Sequence, residues 1–269
     1  MLILSVEIYS IYMTKEEIIE HIGGVHIVRE VHYFDVLDST NNYAKKLLRE
    51  SPVDGTLVVA EEQTGGRGRM GREWKSEKGK NLTFSLSMKT AVPTDRLGII
   101  SITAGLAVAE AITTLTELAP LCKWPNDIIL NGRKVCGILS ESLLTSDNPP
   151  AVVIGIGINV NQTDFPPELH RTATSLAIEA GKAFERLNVL RAILSSFGKW
   201  FTFLEVGESE AILAKWEEHS FLRGKEITID HNGKLVKGIA GTIDPDGSLY
   251  IHTDGQDMKV FAGDITAKS

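Results

Sequence analysis

Gln63-Thr64-Gly65-Gly66-Arg67-Gly68-Arg69-Met70-Gly71-Arg72-Glu73-Trp74 interleaves four glycines with three arginines and ends on a tryptophan. Glycine lacks a Cβ, so its backbone bends freely and can approach a ligand closely. Arginine offers a rigid fork of N–H donors that matches phosphate and carboxylate oxygens. From Arg67 to Lys80 there are six Lys/Arg and two Glu, a local +4 in a chain whose formal charge is −7. That contrast points to a loop that holds a small polyanion and orders when the anion arrives. On either side lie strand patterns, Thr56 to Gln63 leading in and Asn81 to Met88 leading out. The loop is therefore expected to hang between two strands of one sheet. A solvated surface loop has the same composition. Arginine hooks in the DNA minor groove share the Arg67-Gly68-Arg69 run, but they come with flanking prolines and a basic chain.

Working upstream, Val31 to Leu37 reads as a strand. Asp38-Ser39-Thr40-Asn41-Asn42 then supplies N-cap chemistry for a helix through Tyr43, Ala44, Leu47 and Leu48. Ordinary capping explains one of these five polar residues, the other four exceed what a cap needs, and a helix N-terminus is a natural seat for a polar ligand. Thr14 and Glu17 form a capping-box pattern that opens a short helix closed by Gly23-Gly24. The thirty or so residues ahead of the central motifs are too few for a helix-turn-helix module, so DNA binding is not expected. Met1-Leu2-Ile3-Leu4 is soon interrupted by Glu7 and lacks a basic leader, which argues against a signal peptide. Met1 and Met13 both remain open as the start.

Downstream, Ile99 to Leu118 has helical apolar spacing and is expected to end at Pro120. Leu121 to Leu130, Asn131-Gly132 and Lys134 to Glu141 read as a hairpin, which would put Lys123 and Lys134 on neighbouring strands. Pro125 marks an edge or a bulge there. Ala151 to Asn161 is a buried strand with glycines at 155 and 157, where a ligand or another backbone comes close. It is no dinucleotide fingerprint, since Val160 stands where a third glycine belongs and no helix follows. Nor is there a phosphate-binding G-x-x-x-x-G-K-[ST] run. Helices are expected over about 188–204 and 208–218. From Lys225 onward, short strands separated by Asn232-Gly233, Asp246-Gly247 and Asp254-Gly255 predict a small antiparallel barrel. The divisions are a short extension at 1–30, a main domain at 31–220 and a C-terminal domain at 221–269.

The bulk numbers set limits. A pI near 5.6 argues against a general nucleic-acid binder. Two cysteines, Cys122 and Cys136, make neither a disulfide framework nor a zinc set, and fit a reducing cytoplasm. No uninterrupted apolar run reaches the roughly 18 residues of a membrane span. The histidines are scattered, no metal-ligand spacing occurs, and no G-x-S-x-G elbow supports a covalent nucleophile.

Five motifs now line up in order: Asp38-Ser39-Thr40-Asn41; Gln63-Thr64 with Gly66 to Trp74; Lys123-Trp124-Pro125-Asn126-Asp127; Lys134 to Leu139; and Gly155-Ile156-Gly157-Ile158-Asn159. Together they closely resemble biotin–protein ligases, from about Val31 to the C-terminus. The resemblance implies an α+β fold, with the mixed sheet and flanking helices of the class II aminoacyl-tRNA synthetase and biotin synthetase-like group. It also implies a small C-terminal SH3-like barrel, including Ala262-Gly263-Asp264-Ile265. In the implied reaction biotin and ATP give biotinyl-5′-AMP and pyrophosphate. A lysine of a biotin carboxyl carrier protein then takes the biotinyl group and releases AMP. The family's longer members carry an N-terminal DNA-binding domain, absent here, so a monofunctional ligase is expected.

Carried over by position, Ser39, Thr40, Asn41, Gln63, Arg67, Gly68, Arg69, Lys134, Gly137, Leu139 and Gly155 resemble the biotin site, with Gly155 leaving room for the bicyclic head. Arg69, Arg72, Trp74, Lys123, Asn126 and Asn159 resemble the ATP side, where Trp74 would stack on adenine. Lys134, Arg67 and Arg69 are the expected catalytic cations, and Mg²⁺ on the phosphates would share their task without a protein metal site. Cys136 stands where alanine is common in the family. A lipoate–protein ligase is the nearest alternative, and a non-enzymatic nucleotide-binding module the alternative from another class. An edge near Pro125 or the Gly155 strand could pair two subunits into a homodimer.

Overall fold

Successive side chains on a strand point to opposite faces of its sheet, and in three strands here the two faces have different chemistry. The computed structural model describes residues 12–51, 53–144, 149–231, 234–261, 263 and 265–267. In chain order the first elements are α1 (Lys15–His21), β1 (Glu30–Leu37), α2 (Thr40–Glu50), β2 (Thr56–Gln63), β3 (Leu82–Lys89) and α3 (Gly98–Thr116). There follow β4 (Leu121–Lys123), β5 (Asp127–Leu130), β6 (Arg133–Leu143), β7 (Ala151–Ile158), α4 (Leu176–Ala180), α5 (Arg186–Glu205) and α6 (Ser209–Glu218). The last five are β8 (Glu226–His231), β9 (Lys234–Ile243), β10 (Leu249–His252), β11 (Met258–Val260) and β12 (Ile265–Ala267). The first seven strands form one mixed sheet in the order β1-β2-β3-β7-β6-β5-β4, and the last five a second sheet in the order β11-β10-β9-β8-β12. Within the large sheet only β1 and β2 run parallel.

On β3, Leu82, Phe84, Leu86 and Met88 enter the main core, while Thr83, Ser85 and Ser87 face the other way. On β7, Val152, Ile154, Ile156 and Ile158 enter that core and leave Val153, Gly155 and Gly157 opposite. On β6, Cys136 and Ile138 go in, leaving Gly137 and Leu139 opposite. The core face is covered by α3 and α5, whose buried residues belong to the same cluster. Each such Leu, Ile or Phe contributes about 1.5–3 kcal/mol on burial, so this face holds the fold. The opposite face has a smaller patch, where Ala44 of α2 meets Val58 and Val153. Beyond α2 the rest of that face is free for other work. By length and apolarity α3 would pass as a membrane span, but it lies in the core.

The second sheet is joined to the first through its Asp246-Gly247 turn. Trp124, 1% exposed, donates its indole N–H to the Gly247 carbonyl at 2.9 Å. A Cβ on Gly98 would lie 2.5 Å from the Asp246 carbonyl oxygen, so the turn sits directly on the start of α3.

Several expectations hold closely: the Thr14–Glu17 capping box is formed, Ser39 caps α2, and the loop hangs between the antiparallel neighbours β2 and β3. Two are corrected and one element is added. Helix α3 stops at Thr116, four residues before Pro120, because Glu117 takes a left-handed conformation (φ 60°) and its N–H bonds back to Thr113. The segment before Asn131-Gly132 is two strands, turned at Pro125-Asn126, so β5 lies between the strands of Lys123 and Lys134. Pro125 itself lies in that turn beside the edge strand β4, and β5 has an irregular register at Ile128/Ile129. Helix α4, started by the Ser175 hydroxyl, is an addition to the expected elements. The C-terminal strands do form a small antiparallel sheet; Asn232-Gly233, Ala262, Asp264 and the first eleven residues lie outside the described residues.

A buried ion pair secures the base of the loop. Glu61 on β2, 2% exposed, accepts from both terminal nitrogens of Arg186 at 2.7 and 3.0 Å. It also accepts from the backbone N–H of Met13 (3.1 Å) and of Gly79 (3.2 Å), while Arg186 donates to the Asn81 carbonyl at 3.0 Å. Arg186→Met would strand the Glu61 carboxylate in the core, at a cost of about 3–5 kcal/mol. Urea denaturation should show that loss, with much of it regained in Glu61→Met/Arg186→Met. A stability unchanged in Arg186→Met would contradict this account.

Candidate active site

The polar face of β3, β6 and β7 becomes a site because glycines let neighbouring side chains settle onto the strands. A Cβ on Gly155 would lie 2.1 Å from the Asn41 Oδ1, and one on Gly157 2.4 Å from the Trp74 indole. A Cβ on Gly137 would come within 3.1 Å of both the Lys134 ammonium and Trp74. The room at Gly155 is thus filled by the Asn41 amide, where a ligand head was expected.

The start of α2 forms one wall through a chain of hydrogen bonds. The backbone N–H and hydroxyl of Thr40 both donate to the Gln63 Oε1, at 2.7 and 3.0 Å. The Ser85 hydroxyl, fully buried, lies 2.7 Å from the Thr40 oxygen and 2.6 Å from the Asn41 Oδ1. The Asn41 amide nitrogen donates to the Leu139 carbonyl (3.1 Å) and to Glu141 (2.8 Å). Burial alone would raise the Glu141 carboxyl, but hydrogen bonds from Lys45 and Asn41 outweigh it and hold the group below the ordinary carboxylate range.

The glycine–arginine loop folds over this wall as a small hairpin of its own. Arg67 pairs with Glu73, the Gly68 N–H donates to the Arg72 carbonyl at 2.7 Å, and the Trp74 N–H donates to Gly66 at 3.0 Å. Met70 (φ 55°) and Gly71 (φ 73°) make its tip. Arg69 turns inward to Asn126 Oδ1 at 3.5 Å, and Asn126 is itself tied to Ile138 through its side chain and backbone. Burial lowers the Arg69 and Lys123 pKa values, opposed in both by Asp127 and reinforced by neighbouring cations. Cations drawn together and partly stripped of water are poised for an anion. Lys134 bonds Asp127 at 2.5 Å, with its ammonium 5.6 Å from the Trp74 ring centre.

These groups enclose a cavity of about 380 Å³, lined among others by Thr40, Asn41, Gln63, Gly68, Arg69, Arg72, Lys123, Asn126, Lys134, Gly137, Leu139 and Gly155. Trp74 separates it from a second cavity of about 540 Å³, walled by Lys123, Asp127, Asn159, Phe165, Leu169 and Ala173. Three expected residues stand outside the first cavity. Ser39 is buried as the cap of α2. Arg67 reaches out to Asn42 and lines an open vestibule with Met70 and Phe261. Asn159 lines the second cavity, where its amide donates to the Thr174 carbonyl at 3.0 Å and ties β7 to the segment that follows. The structure adds Asp127, Ser85, Glu141, Phe165 and Leu169 to the expected site residues. Ser85 is readable in the Thr-Phe-Ser-Leu-Ser alternation of β3, whereas 162–175 has no periodic pattern.

Residues 33–159 match the model of the biotin/lipoate A/B protein ligase family. The Bacillus subtilis bifunctional ligase/repressor BirA is 36% identical over 244 residues, which span 90% of this chain and 74% of that protein. This chain belongs to the biotin/lipoate protein ligase family. The Mycobacterium tuberculosis biotin–[acetyl-CoA-carboxylase] ligase is 32% identical, covering 86% of this chain and 87% of that one. The solved structure of the Aquifex aeolicus biotin protein ligase in complex with biotin and ATP superposes with a TM-score of 0.76 at 29% identity, covering 89% of this chain and 99% of that one. The family match thus covers all three glycine- and serine-bearing strands of the site, β3, β6 and β7, and the arginine loop.

Gly157→Ala should expel the Trp74 indole from its seat on β7. In ¹⁹F spectra of fluorotryptophan-labelled protein the Trp74 signal should shift and become solvent-sensitive, while buried Trp124 and Trp216 stay in place. An unmoved Trp74 signal would show that the indole does not rest there.

Proposed function

We infer that this protein is a biotin–protein ligase that joins biotin to ATP as biotinyl-5′-AMP and passes the biotinyl group to a carrier lysine. One observation carries the reading: an amide- and hydroxyl-lined cavity and a second, partly apolar cavity meet across a cluster of partly desolvated cations. The first suits a small acid with a hydrogen-bonding head, and the second a nucleotide, with Trp74 between them as a face for adenine. The acid's carboxylate and the α-phosphate would then meet near Lys134, Arg69 and Lys123.

In the first step a carboxylate oxygen forms a bond to the α-phosphorus and the bond to the β-phosphate oxygen breaks, releasing pyrophosphate. Both reactants are anions and repel in water. The cations offset that repulsion and stabilise the charge that grows on the phosphoryl oxygens, while the site holds the two within about 3–3.5 Å. Lys134 would exchange Asp127 for phosphate oxygens at this stage. In the second step a carrier lysine amine, having lost its proton, attacks the carbonyl carbon and AMP departs. The loop closed over the anhydride would keep water away from it.

Mg²⁺ would ride on the phosphates, neutralising their charge. Among the described residues no three His, Cys, Asp or Glu side chains cluster to hold a metal, and Asp127 with Glu73 supplies the carboxylates at the cavity edge. That fits an ion that takes one or two carboxylates plus phosphate oxygens. We extend the reading to a carboxylase carrier domain as acceptor, a cytoplasmic setting supported by two buried free cysteines, and a homodimer formed near Pro125, because β7, the Gly155 strand, is paired on both sides and offers no edge. We also assign the C-terminal sheet as SH3-like, with the division between domains near Ser220.

Exchange of radiolabelled pyrophosphate into ATP should require biotin, and lipoate should not replace it, because a site that hydrogen-bonds a ureido group leaves those partners unpaired with an acid lacking one. Lys134→Ala should lower the exchange rate by about 10²–10³-fold, the effect of removing one well-placed charge-stabilising donor. Exchange supported by lipoate alone would assign the chain to the lipoate branch, and exchange unaffected by Lys134→Ala would remove that residue from the chemistry.

A further inference from the structure

Asn41 is 5% exposed and sits at the centre of the hydrogen-bond chain that walls the first cavity. An amide can face either way round, and the two ways exchange a donor for an acceptor. Outward of Asn41 lie two groups that can only accept, the Leu139 carbonyl at 3.1 Å and the Glu141 carboxylate at 2.8 Å. Inward lies the Ser85 hydroxyl, 2.6 Å from the Asn41 Oδ1 and 2.7 Å from Thr40, with a single proton to give. Reversing the amide would set its oxygen against a carbonyl and a carboxylate, both acceptors. It would also turn NH₂ towards Ser85 and the Gly155 backbone.

The proton directions of the whole wall follow from this. Thr40 gives both its protons to the Gln63 Oε1, so the Gln63 NH₂ is left as the donor at the far end of the chain. The acceptor-only groups beside Asn41 and the donor-only backbone N–H of Thr40 facing Gln63 fix the wall in one polarity, and a bond to a carboxylate is about twice as strong as one to a neutral carbonyl. Lys45 donates to the other Glu141 oxygen at 2.7 Å and offsets its charge, without touching the oxygen that holds Asn41.

We propose that Glu141 is a positioning residue for biotin: it locks the Asn41 amide and so sets which wall atoms donate and which accept towards the ureido head. The proposal rests on the biotin reading. Glu141 does not contact the reacting atoms in this account; it acts through Asn41. The property it controls is acid recognition, and the nucleotide side is left untouched.

Biotin-dependent pyrophosphate exchange by the full chain tests this, with biotin and ATP varied in turn. Glu141→Gln keeps the size of the side chain but can donate as well as accept, so Asn41 can then reverse. The expected result is a biotin KM raised by about tenfold or more, the loss of a charge-assisted hydrogen bond. The ATP KM, kcat and Tm should stay close to wild type. Lys45→Met leaves the acceptor and should change the biotin KM by much less. The proposal is overturned by a wild-type biotin KM in Glu141→Gln. It is also overturned if both KM values rise together with a lower Tm, which is general loosening, or if Lys45→Met matches Glu141→Gln, which assigns the effect to the ion pair. Should wild-type protein show no biotin-dependent exchange, it is the ligase reading that fails.

Discussion

The alternation of side chains along β3, β6 and β7 is the constraint from which the rest of the molecule follows. One set of alternate positions is Leu, Ile, Phe and Met and is sealed against α3 and α5. The other set is mostly Gly, Ser and Thr, and beyond the Val153 patch under α2 it is too small and too polar to bind a helix by itself. A sheet so divided is stable from one side alone, which leaves the second side available for ligands. A one-residue slip of register in β6 or β7 would put glycines in the core and isoleucines in the cavity. Fold and site are therefore specified by the same pattern.

The electrostatics of the site sit on that frame. Lys123, Lys134, Arg69 and Arg72 converge from a strand edge, the next hairpin and the loop, and Asp127 offsets part of their mutual repulsion. A cluster of this kind, with Arg69 and Lys123 partly stripped of water by burial, favours an incoming polyanion more than a solvated surface patch would. The neutral hydrogen-bonding wall at α2 does the opposite task, choosing by the arrangement of donors and acceptors. Trp74 and the two glycines beneath it mark the border between these regions.

Much of this is legible in the amino-acid sequence alone. The strands flanking the loop, the capping of α2, the glycines of β7 and the cationic loop all depend on local pattern, and local pattern is what a sequence displays. The pairing of strands is not local. The Asn131-Gly132 turn is plain in the sequence, but the second turn at Pro125-Asn126 makes three strands out of an expected two and puts β5 between Lys123 and Lys134. Helix α3 ends on the left-handed Glu117, a backbone choice that leaves no strong signature. The alternation of β3 places Ser85 on the polar face but not its partner, and Glu141 carries no local signal at all, because both act through Asn41, 44 residues from the one and 100 from the other. The wall at Phe165 and Leu169 lies on an irregular segment fixed by hydrogen bonds to β6 and β7.

A crystal structure of the chain with biotin and a non-hydrolysable ATP analogue tests the central claim most directly. The account predicts the biotin head against the Asn41 and Gln63 side chains, the nucleotide across Trp74, and both covered by residues 65–74. Ligands bound on the α3 side of the sheet, or on the second sheet with the glycine face empty, would contradict it.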